Sequence, residues 1–150
     1  MDIEKIIQIA ELAGEAIIEI YNKSGNIRIE QKGDNSPLTE ADLAAHNIIV
    51  DELKKIDDTP IVSEEGNEGD PLSSDTCWLV DPLDGTKEFI KRNGMFTVNI
   101  ALMTRKKNRW SPIFGVVHAP VTKTTWSGGA IAPSERRGPD GTGLMMVNPS

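Results

Sequence analysis

The hydrophobic period of this chain changes at Asp57-Asp58-Thr59-Pro60, and that change restricts the folds open to it. Before it, apolar residues recur at spacings of three and four; after it, they come in short runs rich in β-branched and aromatic residues. Ile3, Ile6, Ile7, Ala10, Ala13, Ile17, Ile20 and Tyr21 mark one face of a helix over Ile3 to Tyr21. Thr39 reads as the N-cap of a second helix, with Glu40 and Asp42 in its first turn and Ala41, Ala44, Ala45, Ile48, Ile49 and Leu53 on its buried face. The polar stretch between them is expected to hold a short strand near Ile27-Arg28-Ile29 and a turn over Gly33-Asp34-Asn35-Ser36-Pro37. Beyond the change, Ile61-Val62 and Trp78-Leu79-Val80 read as buried strands that end directly in polar or acidic residues. Phe96 to Met103 forms a longer strand with Phe96, Val98, Ile100 and Leu102 on one face, and Arg105-Lys106-Lys107-Asn108 makes a hairpin tip. Strands at Ile113 to Val117 and Thr124 to Trp126 follow, separated by a turn at Ala119-Pro120. The expected fold is α+β, two helices packed on a mostly antiparallel sheet.

At 150 residues the chain suits one domain. Its net charge of −7 argues against a nucleic-acid backbone as partner, because such binding needs a basic stripe. No apolar run approaches the ~20 residues that span a bilayer. Acidic residues stand where a signal peptide would carry positive charge, so a cytoplasmic location is expected. Cys77 is the single cysteine, which excludes an internal disulfide and any multi-cysteine zinc site. From Gly128 onward the glycines and prolines leave little apolar surface to offset ordering entropy; residues 128–150 are expected to be a loose tail with one weak strand near Met145.

Chemistry concentrates between Val62 and Phe89. Glu64-Glu65 follows the first buried strand and Asp81-Pro82-Leu83-Asp84-Gly85-Thr86 follows the second. Carboxylates meeting at adjacent strand ends repel unless a cation lies between them, and a hard divalent ion such as Mg²⁺ suits oxygen donors. Pro82 keeps Asp81 out of helical geometry, so Asp81 and Asp84 can point to one side of the loop, with the Leu83 carbonyl turned inward. Gly85 permits close backbone approach, and Thr86-Lys87-Glu88-Phe89-Ile90 reads as the first turn of a short helix whose amides face an anion. Ordinary readings stand beside these. D-P-x-D-G is often a surface turn, Glu64-Glu65-Gly66 a solvated strand end, Asp42 a first-turn acid facing a helix dipole, and Lys87 a solvated lysine. His46 and His118 read as structural or exposed, Trp78 and Phe89 as core.

Taken together, Pro37-Leu38-Thr39-Glu40-Ala41-Asp42, Ser63-Glu64-Glu65-Gly66 and Trp78 through Ile90 resemble the inositol monophosphatase superfamily of magnesium-dependent phosphatases. The spelling Gly85-Thr86-Lys87-Glu88-Phe89 resembles its bacterial 3'(2'),5'-bisphosphate nucleotidase branch more than the inositol branch, as do Lys91-Arg92-Asn93-Gly94 and Gly115-Val116-Val117-His118-Ala119-Pro120. The resemblance covers residues 1–127. It implies a sugar-phosphatase-like layered fold, Mg²⁺ as cofactor and a small phosphorylated nucleotide as substrate. Its residue roles, carried over, make Glu64, Asp81, the Leu83 carbonyl and Asp84 metal ligands. Asp42, Thr86 and Glu65 become catalytic: Asp42 accepts from the Thr86 hydroxyl, which orients the attacking water, and Glu65 holds a water nearby. Gly85, Thr86, Lys87 and Glu64 would face the substrate.

Family members carry a second α/β half with a Trp-Asp-x-Ala motif, which supplies a further metal-ligand aspartate and most of the recognition surface. Residues 128–150 hold only Glu135 and Asp140 as acids and contain no such motif, so an interrupted reading frame is one expectation. A half fold exposes an apolar face, from which low stability and self-association follow. The rival readings are an inositol-monophosphatase-like enzyme and a fragment that keeps the metal loop without turnover.

Overall fold

The computed structural model describes residues 2–23, 29–31, 37–139 and 143–145. Helix α1 spans Ile3–Tyr21, as its apolar period predicts, and Asp2 caps it by accepting from the Lys5 amide at 3.2 Å. Strands β1 (Ile29–Gln31) and β2 (Pro37–Thr39) pair antiparallel and deliver the chain to α2 (Glu40–Lys54). Residues 33–36 of the turn expected over 33–37 and residues 27 and 28 of the expected strand lie outside the described residues, and Pro37 opens β2.

The main sheet runs in sequence order through β3 (Ile61–Ser63), β4 (Thr76–Asp84), β5 (Thr97–Lys106), β6 (Arg109–Ala119), β7 (Thr124–Gly129), β8 (Ala132–Arg137) and β9 (Gly143–Met145). β3 and β4 are parallel; every later pair is antiparallel. The β5–β6 hairpin turns at Lys107 and Asn108, both at positive φ (51° and 62°), the conformation of a two-residue turn that matches strand twist. A short helix, α3 (Thr86–Lys91), leaves the end of β4.

Helices α1 and α2 cover one face of this sheet. Val80, Ile100 and Val116 lie in register across β4, β5 and β6 and pack into a single core with Ile6, Ile17 and Ile49 of the helices. Alternation sends the neighbouring side chains to the other face, where Leu79 and Val117 remain 47% and 38% exposed. Trp78 and Phe89 are core residues, as read from the sequence.

Among the described residues beyond Gly128, β8 departs from the expected loose tail, whereas β9 falls where one weak strand is expected near Met145. β8 pairs with β7 at Thr125↔Arg137 and Trp126↔Arg136, and β9 pairs with β8. The order of β8 comes from backbone pairing and charge, not from apolar burial, which is why hydrophobic patterning misses it. Arg137 forms an ion pair with Glu4 of α1 and another with Glu135, and these carboxylates raise the guanidinium pKa further. Gly128 and Gly129 are close-approach positions inside a bulged pair: a Cβ on Gly128 would stand 2.8 Å from Ser134 Cα, and one on Gly129 would strike the Ile113 carbonyl.

Gly14 in α1 has a similar role. A Cβ there would lie 2.6 Å from Cδ2 of buried His118, whose Nδ1 is held 2.8 Å from Thr125 Oγ1. The ring cannot withdraw without losing that bond. Gly14→Ala is expected to destabilise the chain by about 1–3 kcal/mol despite alanine's better helix propensity, because overpacking outweighs it; urea unfolding midpoints of the two proteins measure the difference.

Candidate active site

The parallel pairing of β3 with β4 sets the first relation. Ser63 is in register with Val80, and the Glu64 amide donates to the Val80 carbonyl at 3.2 Å, so the Glu64-Glu65-Gly66 turn runs beside Asp81. β4 then departs from the sequence expectation: Asp81-Pro82-Leu83-Asp84 is the bulged end of the strand rather than a loop. Asp81 pairs with Asn99 and Asp84 with Thr97, three residues advancing against two, where Pro82 has no amide to offer the ladder. Asn99 and Thr97 share a face of β5, so Asp81 and Asp84 share that face too, while Leu83 is buried. Asn99 Nδ2 donates to Asp84 Oδ2 at 3.1 Å, and Thr97 Oγ1 donates to Asn99 Oδ1 at 3.0 Å.

The second relation comes from the start of α2. Asp42 is fully buried and forms a capping box: its Oδ2 accepts from the Thr39 amide at 2.9 Å and from the Thr39 hydroxyl at 2.6 Å, while its own amide donates to Thr39 Oγ1 at 3.4 Å. Its other oxygen, Oδ1, accepts from the Thr86 hydroxyl at 2.9 Å. The same hydroxyl lies 3.4 Å from the Leu83 carbonyl. Asp42 is therefore more than an acid facing a helix dipole; it ties α2 to the first residue of α3.

Gly85 makes this approach feasible. It caps α3 at φ +97° with no side-chain cap, and a Cβ there would meet the Met95 carbonyl at 3.0 Å. Phe89 anchors α3 against Tyr21 and Phe96, with ring centroids 5.4 and 5.3 Å away. Lys87 is exposed one residue beyond Thr86.

The fold thus brings Asp42, Thr86 and the Leu83 carbonyl together by hydrogen bonds, and Glu64, Asp81 and Asp84 to one rim by strand register. Among the described residues, no three His, Cys, Asp or Glu side chains stand as a closed set of metal ligands. The donors are nonetheless of the right kind for a hard divalent cation, carboxylates and a carbonyl on hydrogen-bonded strand ends, and the Glu64 and Asp84 side chains are exposed. Two contacts at this rim escape sequence reading. Asn99 holds Asp84, and His46 Nδ1 lies 2.8 Å from Ser63 Oγ. The second has a sequence signal, since His46 is one helical turn beyond Asp42 and Ser63 immediately precedes Glu64. His118, by contrast, is structural: burial depresses its pKa to about 4.

Helices on one face of a mostly antiparallel sheet, with carboxylates and a carboxylate-bound hydroxyl at its rim, define an α+β domain of the sugar-phosphatase type. The chain belongs to the Inositol monophosphatase family, whose model matches residues 2–138, past the point near 127 where the sequence resemblance fades. It is 48% identical over 128 residues to the 3'(2'),5'-bisphosphate nucleotidase CysQ of Escherichia coli (strain K12), covering 83% of this chain and 50% of that protein. The Salmonella typhimurium CysQ is 46% identical over 131 residues. Among solved structures, CysQ from Bacteroides thetaiotaomicron superposes with a TM-score of 0.72 at 42% identity, covering 90% of this chain and 48% of that one. The extragenic suppressor protein suhB from Bartonella henselae gives 0.76 at 27% identity, covering 87% and 50%. The chain spans about half the length of the curated relatives it matches. No helix among the described residues is long and apolar enough to cross a membrane.

Proposed function

We propose that this chain carries the metal-binding, phosphate-facing part of a Mg²⁺-dependent phosphomonoester hydrolase that removes the 3'-phosphate of adenosine 3',5'-bisphosphate. The observation that supports this most is the Thr86 hydroxyl held at 2.9 Å by the buried Asp42 beside the Asp81/Asp84 strand end. Glu64, Asp81, the Leu83 carbonyl and Asp84 would hold Mg²⁺. When bound, the ions polarise the phosphate, lower the pKa of water and neutralise charge on the leaving oxygen.

The chain's own residues do the rest. Because the single proton of Thr86 Oγ1 is directed at Asp42, its lone pairs are left to accept a hydrogen bond from the attacking water and so orient it. Asp42, fixed on its other oxygen by Thr39, cannot turn away, so the hydroxyl keeps one orientation. Glu65 holds a water nearby. Gly85 and Thr86 offer first-turn amides of α3 to phosphate oxygens, and Lys87 and Glu64 border the substrate. The half-exposed Leu79 and Val117 support association of the open sheet face with a second surface.

Asp81→Asn tests the reading. Wild-type chain is expected to bind Mg²⁺ by calorimetry and to release phosphate from adenosine 3',5'-bisphosphate, and the variant to lose both. Faster release from inositol 1-phosphate would move the chain to the inositol branch, and no Mg²⁺ binding by the wild type would remove the metal role altogether.

A further inference from the structure

We infer that His46 and Ser63 are positioning residues for the Glu64-Glu65 turn, so that one face of α2 sets both strand ends of the site. This rests on the metal role proposed above for Glu64. Asp42 and His46 are four residues apart and project from the same side of the helix. Asp42 fixes Thr86, beyond the end of β4, at 2.9 Å; His46 reaches Ser63, the last residue of β3, at 2.8 Å.

Ser63 is 8% exposed and sits at the centre of the turn's bonding. Its amide donates to Asn67 Oδ1 at 3.2 Å, closing the turn, and its hydroxyl oxygen accepts from the Glu65 amide at 3.3 Å. A hydroxyl has one proton and two lone pairs. With Glu65 on one lone pair, either the proton or the second lone pair of the hydroxyl meets His46 Nδ1, according to the ring's tautomer, and in both cases the 2.8 Å contact fixes the hydroxyl. The Ser63 rotamer that holds Glu65 is thus the one His46 selects. Remove the imidazole and the hydroxyl is released to other rotamers, the Glu65 amide loses its acceptor, and the carboxylates that follow β3 lose their fixed start. Groups that orient metal ligands in this way commonly carry a tenfold or larger share of affinity.

The experiment reads position and consequence separately. Glu65 amide exchange, by NMR without metal, reports the turn; calorimetry with Mg²⁺ alone reports the site. His46→Leu is expected to speed Glu65 exchange and to weaken Mg²⁺ roughly tenfold. His46→Asn, whose side-chain amide can stand where Nδ1 stands and either accept from or donate to Ser63 Oγ, is expected to restore both, which a general packing defect would not allow. Adding Ser63→Ala to His46→Leu should then change little, since the pair acts as one device. Unchanged Glu65 exchange in His46→Leu overturns the inference, and so does faster exchange with unaltered Mg²⁺ affinity while Asp81→Asn loses it. Equal Mg²⁺ binding by wild type and Asp81→Asn overturns instead the metal role on which the inference stands.

Discussion

Asp42→Asn is expected either to cost the folded chain about 2–4 kcal/mol or to remove most of any hydrolysis, although it changes one atom. The carboxylate accepts from three donors, the Thr39 amide and hydroxyl on Oδ2 and the Thr86 hydroxyl on Oδ1. An amide offers one acceptor oxygen, and its NH₂ must face at least one of those donors. Two hydroxyl protons can rotate to escape the clash, but the Thr39 backbone amide cannot. If the amide oxygen takes the Thr39 side, NH₂ faces Thr86 and the hydroxyl turns its lone pairs inward, away from water. If it takes the Thr86 side, the α2 capping box opens at a position with no solvent exposure. One outcome costs orientation of the nucleophile, typically about 10²–10⁴ in rate for groups that move a proton, and the other costs stability. Urea unfolding and phosphate release on the same protein distinguish them. A variant with wild-type stability and turnover would show that the link from α2 to α3 has neither role.

The double role of Asp42 also marks the limit of what the sequence shows. Its place in the first turn of α2, and Thr39 as cap, follow from local propensity, and both ends of α1 follow from its apolar period. Local patterning cannot reveal that the same carboxylate receives a hydroxyl from residue 86, forty-four positions away. Motif resemblance reaches that pair by another route. The D-P-L-D segment shows a similar limit. Proline and glycine read as a loop, yet Pro82 takes the bulge of a strand already paired to β5, because a bulge is where a missing amide costs least. Next to the other edge, β8 has no hydrophobic alternation to find; it is held between β7 and β9 and by Arg137 reaching Glu4 across 133 residues. Fold class and rim residues are legible because they rest on periodicity and on a joint motif. Tethers such as Asn99 to Asp84 and His46 to Ser63 are not, since a polar residue on a strand or helix has many available partners until the tertiary structure chooses one.

His118 gives the chain a predictable acid sensitivity. It is 6% exposed at the end of β6, bonded through Nδ1 to Thr125 and pressed by Gly14 of α1. Burial lowers its pKa from 6.5 to about 4, because a charged imidazole there would lose its hydration. Glu11, Glu15, Lys123 and Arg137 also line the cleft beside it, an even balance of charge that does not offset that loss. The unfolded chain binds the proton more readily than the folded one, so acid favours unfolding. Stability from the neutral ring is fully present above pH 6.5, falls as pH drops toward about 4, and is gone below it. Across that window the loss amounts to about 3 kcal/mol. Carboxylates titrate in the lower part of the same range, so the signature is a difference between proteins: wild type should lose stability from pH 7 to 4 more steeply than His118→Gln, which carries no proton-binding ring. Parallel stability curves for the two would mean that the ring meets enough water in the fold to charge freely. In that case the close seating of α1 on β6, which leaves no room for a Cβ at Gly14, would have to loosen at acid pH without cost.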